Sequence, residues 1–323
     1  MSARESTAQV RHRAFDNVLK KDKLTLGFIA PVEGYPDAPW PAFSNHERTI
    51  RYLDDIGASA LWVRDVPFFD PAFGDVAQVF DPMVYLGWLA AVTRNLAIGT
   101  AGIIAPLRDP IIVAKQFASA DQISGGRLLA GLASGDRATE YPAFGLDYET
   151  RAGRYQESVS IIRALTTDEF PRYESRHYGR LEGRLDLLPK PTSTGLPLIA
   201  IGRAGQTLDW LAANVDAWIW HGSDAKHFGA HAARWREATS AHGFKPFGYG
   251  IWFDLDVNED ARLSTGPVLR GGRHALIEFL KAQEEAGVNH VALNLKPTRR
   301  DPVDLLEELG RYVLPHFASE AVG

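Results

Sequence analysis

Hydrophobic positions along the chain alternate between two rhythms. Short, mostly apolar runs occupy residues 24–30, 60–66, 96–104, 127–133, 197–201, 217–220, 247–257 and 290–295. Runs that are apolar throughout, rather than at every second position, mark strands covered on both faces. Each is followed by a stretch with helical spacing, over residues 45–56, 82–94, 110–124, 148–165, 206–213, 225–241, 274–286 and 302–317. Local signals agree with these bounds. Ser44 is placed as an N-cap with Gly57 as a stop, and Asp109–Pro110 opens a helix in which Val113, Phe117 and Ala120 recur until Gly125 and Gly126 end it. Eight strands, each followed by a helix, predict an α/β chain folded as a (β/α)8 TIM barrel. An open doubly wound sheet would carry an early glycine-rich turn, whereas the first strand here ends in Ala30–Pro31–Val32.

Five connections interrupt the rhythm. Residues 31–41 are rich in Pro and Gly, and residues 67–81 combine aromatics with acids (Phe68, Phe69, Asp70, Phe73, Asp75, Phe80). Residues 136–145 are a shorter loop. Residues 166–195 are too long and polar for an ordinary connection and read as an insertion, between the fourth helix and fifth strand, with some hairpin structure. Residues 258–272 read as a mobile polar loop. Ahead of the barrel, residues 1–23 form a basic arm (Arg4, Arg11, His12, Arg13, Lys20, Lys21, Lys23) that uses Phe15, Val18 and Leu19 to pack on the body or on a second subunit. Glu5, Asp16 and Asp22 argue against a transit peptide. The predicted organisation is an arm, 1–23, and a single barrel domain, 24–323.

Composition narrows the function. A chain of 323 residues, 45% hydrophobic and 23% charged, suits an ordinary globule with a large core and no membrane span. A formal charge of −5 gives no general attraction to nucleic acid or anionic lipid. With no cysteine there is no disulfide, thiol nucleophile or cysteine-held cluster, in keeping with a cytoplasmic protein.

The chemistry gathers at the strand exits. Thr100, Ala101 and Gly102 after the third strand, and Ala133, Ser134 and Gly135 after the fourth, are small, so something flat can approach the backbone closely. Gly202, Arg203, Ala204, Gly205 and Thr207 lie between a buried strand and a helix start, where free N–H groups and a cation favour an anion. His227 and His231 share a helix spacing but have no third ligand nearby, so a solvated surface pair is expected and no metal site.

Thr100–Ala101, Pro106, Arg108 and Pro110, followed by Asp121–Gln122–Ile123–Ser124–Gly125–Gly126–Arg127 and a glycine-bearing fourth strand, resemble the bacterial luciferase-like flavin monooxygenases over residues 24–317. The resemblance implies a barrel that binds reduced FMN, or in some branches F420, at the C-terminal ends of its strands. It implies a non-proline cis peptide at Ala101–Gly102, flavin contacts from Ser134 and Asp136, and phosphate contacts from the Gly202–Thr207 turn and Tyr155. A cationic contact typical of luciferases is replaced by Ser134, with Arg137 available to compensate. The histidine that relatives carry past the second strand is absent. Asp65, partnered by Arg64, becomes the candidate proton handler, against a purely structural Arg–Asp pair. His221 is the second candidate, against a histidine simply packed beside Trp220. Glu33, Asp254 and Asn294 stand at other strand exits, and Trp40, Phe68, Phe69, Phe73 and Trp252 are candidates to wall an apolar substrate pocket. The expected activity is FMN-linked oxygenation of a small organic substrate by a homodimer served by a separate flavin reductase. The alternatives are F420-dependent hydride transfer and a flavin binder without chemistry.

Overall fold

In the computed structural model, which describes residues 12–223 and 225–318, eight parallel strands close into a ring. These are β1 (Thr25–Ile29), β2 (Ala60–Val63), β3 (Ala97–Thr100), β4 (Leu128–Ala133), β5 (Leu198–Ile201), β6 (Ala217–His221), β7 (Phe247–Leu255) and β8 (His290–Asn294). They pair in chain order, and β8 returns to β1 with Thr25 opposite His290 and Ile29 opposite Asn294. Helix α1 (Arg13–Val18) precedes the ring. The others follow successive strands: α2 (His46–Asp55), α3 (Pro82–Val92), α4 (Pro110–Ser124), α5 (Arg151–Thr167), α6 (Leu208–Asn214), α7 (Phe228–Ala238), α8 (Arg273–Glu285) and α9 (Pro302–Glu308). The apolar runs are therefore buried on both faces, one against helices and one inside the ring.

Three helices begin with the same Asp–Pro signal. Asp81, Asp109 and Asp301 each accept two backbone N–H bonds of the first turn, and the proline supplies no competing donor. At α2 the capping position belongs to Asn45 in a left-handed conformation, not to Ser44, and no side chain caps the helix. The Gly125–Gly126–Arg127 turn has a mechanical explanation. Arg127 is buried and donates to Ser124 O, Leu96 O, Ala90 O, Thr93 O and Thr93 Oγ1, so its charge satisfies the free carbonyls ending α3.

Two predicted stretches break differently. The run 96–104 is interrupted at a cis Ala101–Gly102 bond, after which Ile103–Ile104 pairs with β4. The polar segment 258–272 contains a short strand, Val268–Gly271, that pairs in parallel with the C-terminal end of β7 from Trp252 to Leu255. The insertion holds the expected hairpin, Arg172–Ser175 against Gly179–Glu182. No helix among the described residues is long and apolar enough to cross a membrane.

Inside the ring, Phe15, Val18 and Leu19 pack beneath Ile29, Trp62, Leu129, Ile199 and Ile219, closing the N-terminal end of the barrel. His12 Nε2 meets Asp121 at 2.8 Å in the same buried seam, while Arg4 and Arg11 lie outside the described residues. Above this floor, Trp62 Nε1 donates to His290 Nε2 at 2.9 Å, His290 Nδ1 lies 2.8 Å from Thr25 Oγ1, and Thr25 Oγ1 donates to Val18 O at 2.7 Å. This chain closes only with a neutral imidazole carrying its proton on Nδ1. Burial pushes the His290 pKa down to about 3.

The unfolded imidazole takes up a proton below pH ~6.5 and the folded one only near pH 3, so stability should fall as pH is lowered through that window. Urea denaturation between pH 7 and 5 should show a slope approaching about 1.4 kcal/mol per pH unit that His290→Gln lacks. Parallel pH profiles for the two proteins would refute the assignment.

Candidate active site

A cavity of ≈ 430 Å³ opens at the C-terminal ends of the strands. One wall is made of small residues, Ala101 and Gly102 after β3 with Ala133 and Ser134 at the end of β4. Gly102 is required by close approach: a Cβ there would stand 2.7 Å from Ile201 Cγ1 and 3.1 Å from Ala133 N. Ser134 is held from behind by a bond from the buried Tyr141 hydroxyl to its carbonyl. Thr100 has no place in the cavity wall. Its hydroxyl donates to Gly131 O and accepts from Gly131 N, at 2.7 and 2.9 Å, fastening β3 to β4 where β3 stops.

The turn after β5 borders the same cavity through Gly202, Arg203 and Ala204. Gly202, Ala204 and Gly205 have φ of 67°, 49° and 71°, and Arg203 is exposed with its guanidinium donating to Gln206 O. Gly205 and Thr207 are exposed beside it, and the Thr207 hydroxyl accepts from Trp210 N as the cap of α6. Tyr155 sits elsewhere than expected. It is fully buried against Trp210, with its hydroxyl 3.4 Å from Leu132 O and outside the cavity wall.

The charge stands beside this wall, at the exit of β2 and just past β4. Asp65 lines the cavity, but its partner is Arg108 rather than Arg64: two bonds of 2.8 and 2.7 Å join them, and Ile104 N adds a third at 3.0 Å. A carboxylate so occupied anchors the segment leaving β3. Arg64 instead pairs with Asp75 at 2.5 Å. Burial raises the Asp75 pKa, yet Arg64, the Ala77 N–H and Lys296 outweigh it and hold the group at about 2. Arg137, which lines the cavity, donates to Asp75 O at 2.9 Å and stands 4.6 Å from the centre of the Phe73 ring. Arg64, Lys296 and Arg137 thus hold the aromatic loop 67–81 from three different strand exits. Sequence reading missed the Asp75 hub, because its partners are 11, 62 and 221 residues away along the chain.

His221 ends β6 and is exposed in the cavity. Desolvation by the walls of the cavity, followed by the positive charge of Arg64, pushes its pKa below the ordinary 6.5. The histidine packed on Trp220 is His231, whose half-buried ring stacks there at 5.4 Å and also meets Trp218, while His227 is exposed. Asp136 borders the cavity and is exposed. Glu33 and Asn294 accept backbone N–H bonds from their own loops, and Asp254 pairs with Arg270. Of the candidate aromatics, Phe68 and Phe69 line an adjoining cavity, whereas Trp40, Phe73 and Trp252 line neither.

The family model described as luciferase-like monooxygenase matches residues 24–262. The chain is 25% identical over 251 residues to 4-hydroxyprotoasukamycin monooxygenase of Streptomyces nodosus subsp. asukaensis, a match covering 68% of this chain and 65% of that protein. In fold it is similar to an F420-dependent secondary alcohol dehydrogenase in complex with an F420–acetone adduct (TM-score 0.73, 19% identity, 92% and 100% of the two chains). It is similar also to the oxygenating constituent of 3,6-diketocamphane monooxygenase from Pseudomonas putida in complex with FMN (TM-score 0.71, 14% identity, 91% and 98%).

The His221 environment makes a direct prediction. An NMR titration should place its midpoint below 6.5, and Arg64→Gln should raise it, because removing a nearby positive charge favours the imidazolium. A midpoint at or above 6.5, or one unmoved by Arg64→Gln, would contradict this electrostatic account.

Proposed function

Since the chain belongs to the luciferase-like monooxygenase family, we propose that it is a flavin-dependent oxidoreductase, an FMN-linked monooxygenase acting on a small organic molecule. The observation that carries this reading is the small-residue wall of Ala101, Gly102, Ala133 and Ser134, continuous with the open turn at Gly202–Ala204 in one cavity. A planar ring needs such a wall, and a phosphate tail needs a turn with free N–H groups and a cation. The residues present fit both requirements. Ala101, Gly102 and Ser134 would face the ring, and Arg203 with the turn backbone would hold the phosphate.

When bound, reduced FMN supplies the two electrons that let one oxygen atom of O2 enter the substrate while the other leaves as water. The protein's own residues provide the setting. The 67–81 loop is anchored beside the cavity by Arg64, Lys296 and Arg137, of which Arg64 and Arg137 line it. His221, whose pKa the site lowers below the ordinary 6.5, is the group placed to accept or return a proton at an imidazole nitrogen. Asp65 is committed to Arg108 and acts by positioning. F420-dependent hydride transfer is the second reading, favoured by the shared fold with the F420-dependent alcohol dehydrogenase.

Titrating the purified protein separately with FMN and F420, and following the absorbance of each, decides between them. FMN binding is expected, and tight F420 binding without FMN binding would reverse the assignment. Arg203→Ala should weaken FMN about tenfold while leaving riboflavin unchanged, the loss of one charge-assisted contact of about 1.4 kcal/mol. Equal loss for both ligands would remove the phosphate from this turn.

A further inference from the structure

A second cavity of ≈ 340 Å³, open to solvent, adjoins the first and is walled by Phe68, Phe69, Asp70, Pro71, Thr139 and Ala143. Glu140 is common to the walls of both. It is 4% exposed, and its Oε1 is buried with no hydrogen-bond partner. The nearest cation, Arg137 Nη1, stands 3.9 Å away, beyond hydrogen-bond distance, and its guanidinium is already engaged with Asp75 O. Leaving a buried carboxyl oxygen unpaired is costly, and Glu140 belongs to the walls of both cavities, so its carboxyl points to a ligand that completes it.

We propose that Glu140 is a specificity-determining residue, and that the substrate is a hydroxylated aromatic compound that enters past Phe68 and Phe69 and hydrogen-bonds its hydroxyl to this carboxyl. The proposal rests on the cavity being the reaction site described above. Phe68, Phe69, Pro71 and Ala143 supply the apolar part of the outer cavity's wall, and Phe68 and Phe69 are roughly half exposed there, which is the setting for a flat apolar body. A hydroxyl is the matching polar group for a further reason. It accepts from a protonated carboxyl and donates to an ionised one, whereas a carbonyl can pair only with the acid. Burial and the nearby Asp136, Asp65 and Asp70 raise the Glu140 pKa against the opposing pull of Arg137. Discrimination of this kind is large because the unpaired oxygen is penalised when the matching group is missing.

The test is equilibrium binding of 2-naphthol and of 2-methylnaphthalene, which replaces the hydroxyl by a methyl group of similar size, to the wild-type protein without added flavin. Wild type should prefer 2-naphthol by tenfold or more, and Glu140→Leu should lose that preference while still binding 2-methylnaphthalene. Glu140→Asp, which shortens the side chain but keeps the carboxyl, should retain part of it, and both variants should melt cooperatively. Equal affinity of wild type for the two compounds would overturn the proposal, as would a preference that survives in Glu140→Leu. The wild-type FMN titration is an independent readout. Its failure alongside an intact naphthol preference would remove the flavin reading and leave the recognition element standing.

Discussion

The hydrogen-bonded chain from Trp62 through His290 and Thr25 to Val18 is the constraint on which the barrel's interior depends. A ring of eight strands must fill its own centre, and here the lower half is filled by an indole and an imidazole rather than by aliphatic layers alone. Both polar rings are tolerated because every donor finds an acceptor, and the last acceptor belongs to the helix that seals the bottom. The same bonds fix the rotamer of Trp62, whose other side borders the functional cavity. Floor and mouth are therefore joined through one residue.

Above that layer the organising force changes from packing to charge. Asp65 binds the segment after β3 through Arg108 and Ile104 N, and Asp75 gathers cations from the exits of β2 and β8 while its carbonyl takes Arg137 from β4. These pairs are largely shielded from water, where a carboxylate–guanidinium contact keeps its directionality and its loss leaves an isolated charge. The backbone of the small-residue wall is held by Asp65 through Ile104 N on one side and by the Tyr141 hydroxyl through Ser134 O on the other.

Much of this was legible in the residues. Fully apolar runs and Asp–Pro helix starts give the alternation, and the small residues at two strand exits mark the wall of the cavity. Other features escaped because they depend on partners distant in the chain. Thr100 reads as a cavity residue, but a β-branched side chain just inside a strand end turned its hydroxyl to Gly131. Tyr155 reads as a ligand group, yet helical phase carries it into the layer between α5 and the ring. Asp65 could pair with Arg64 next to it or with Arg108, and neighbouring side chains on an extended segment face opposite ways, which favours the remote partner. Glu140 carries no local signal, since only burial distinguishes it from the other acids nearby.

The fastening of loop 67–81 has a consequence for how such a protein can diversify. Its anchors, Asp75 and Gln78, lie in the second half of the loop, where Gln78 bonds both the N–H and the carbonyl of Arg64. The tip around Phe68 and Phe69 is exposed and makes few of these bonds. Mutations at the tip can therefore accumulate without unmooring the segment, so the entrance is free to be re-tailored for new molecules while the machinery beneath it is inherited unchanged.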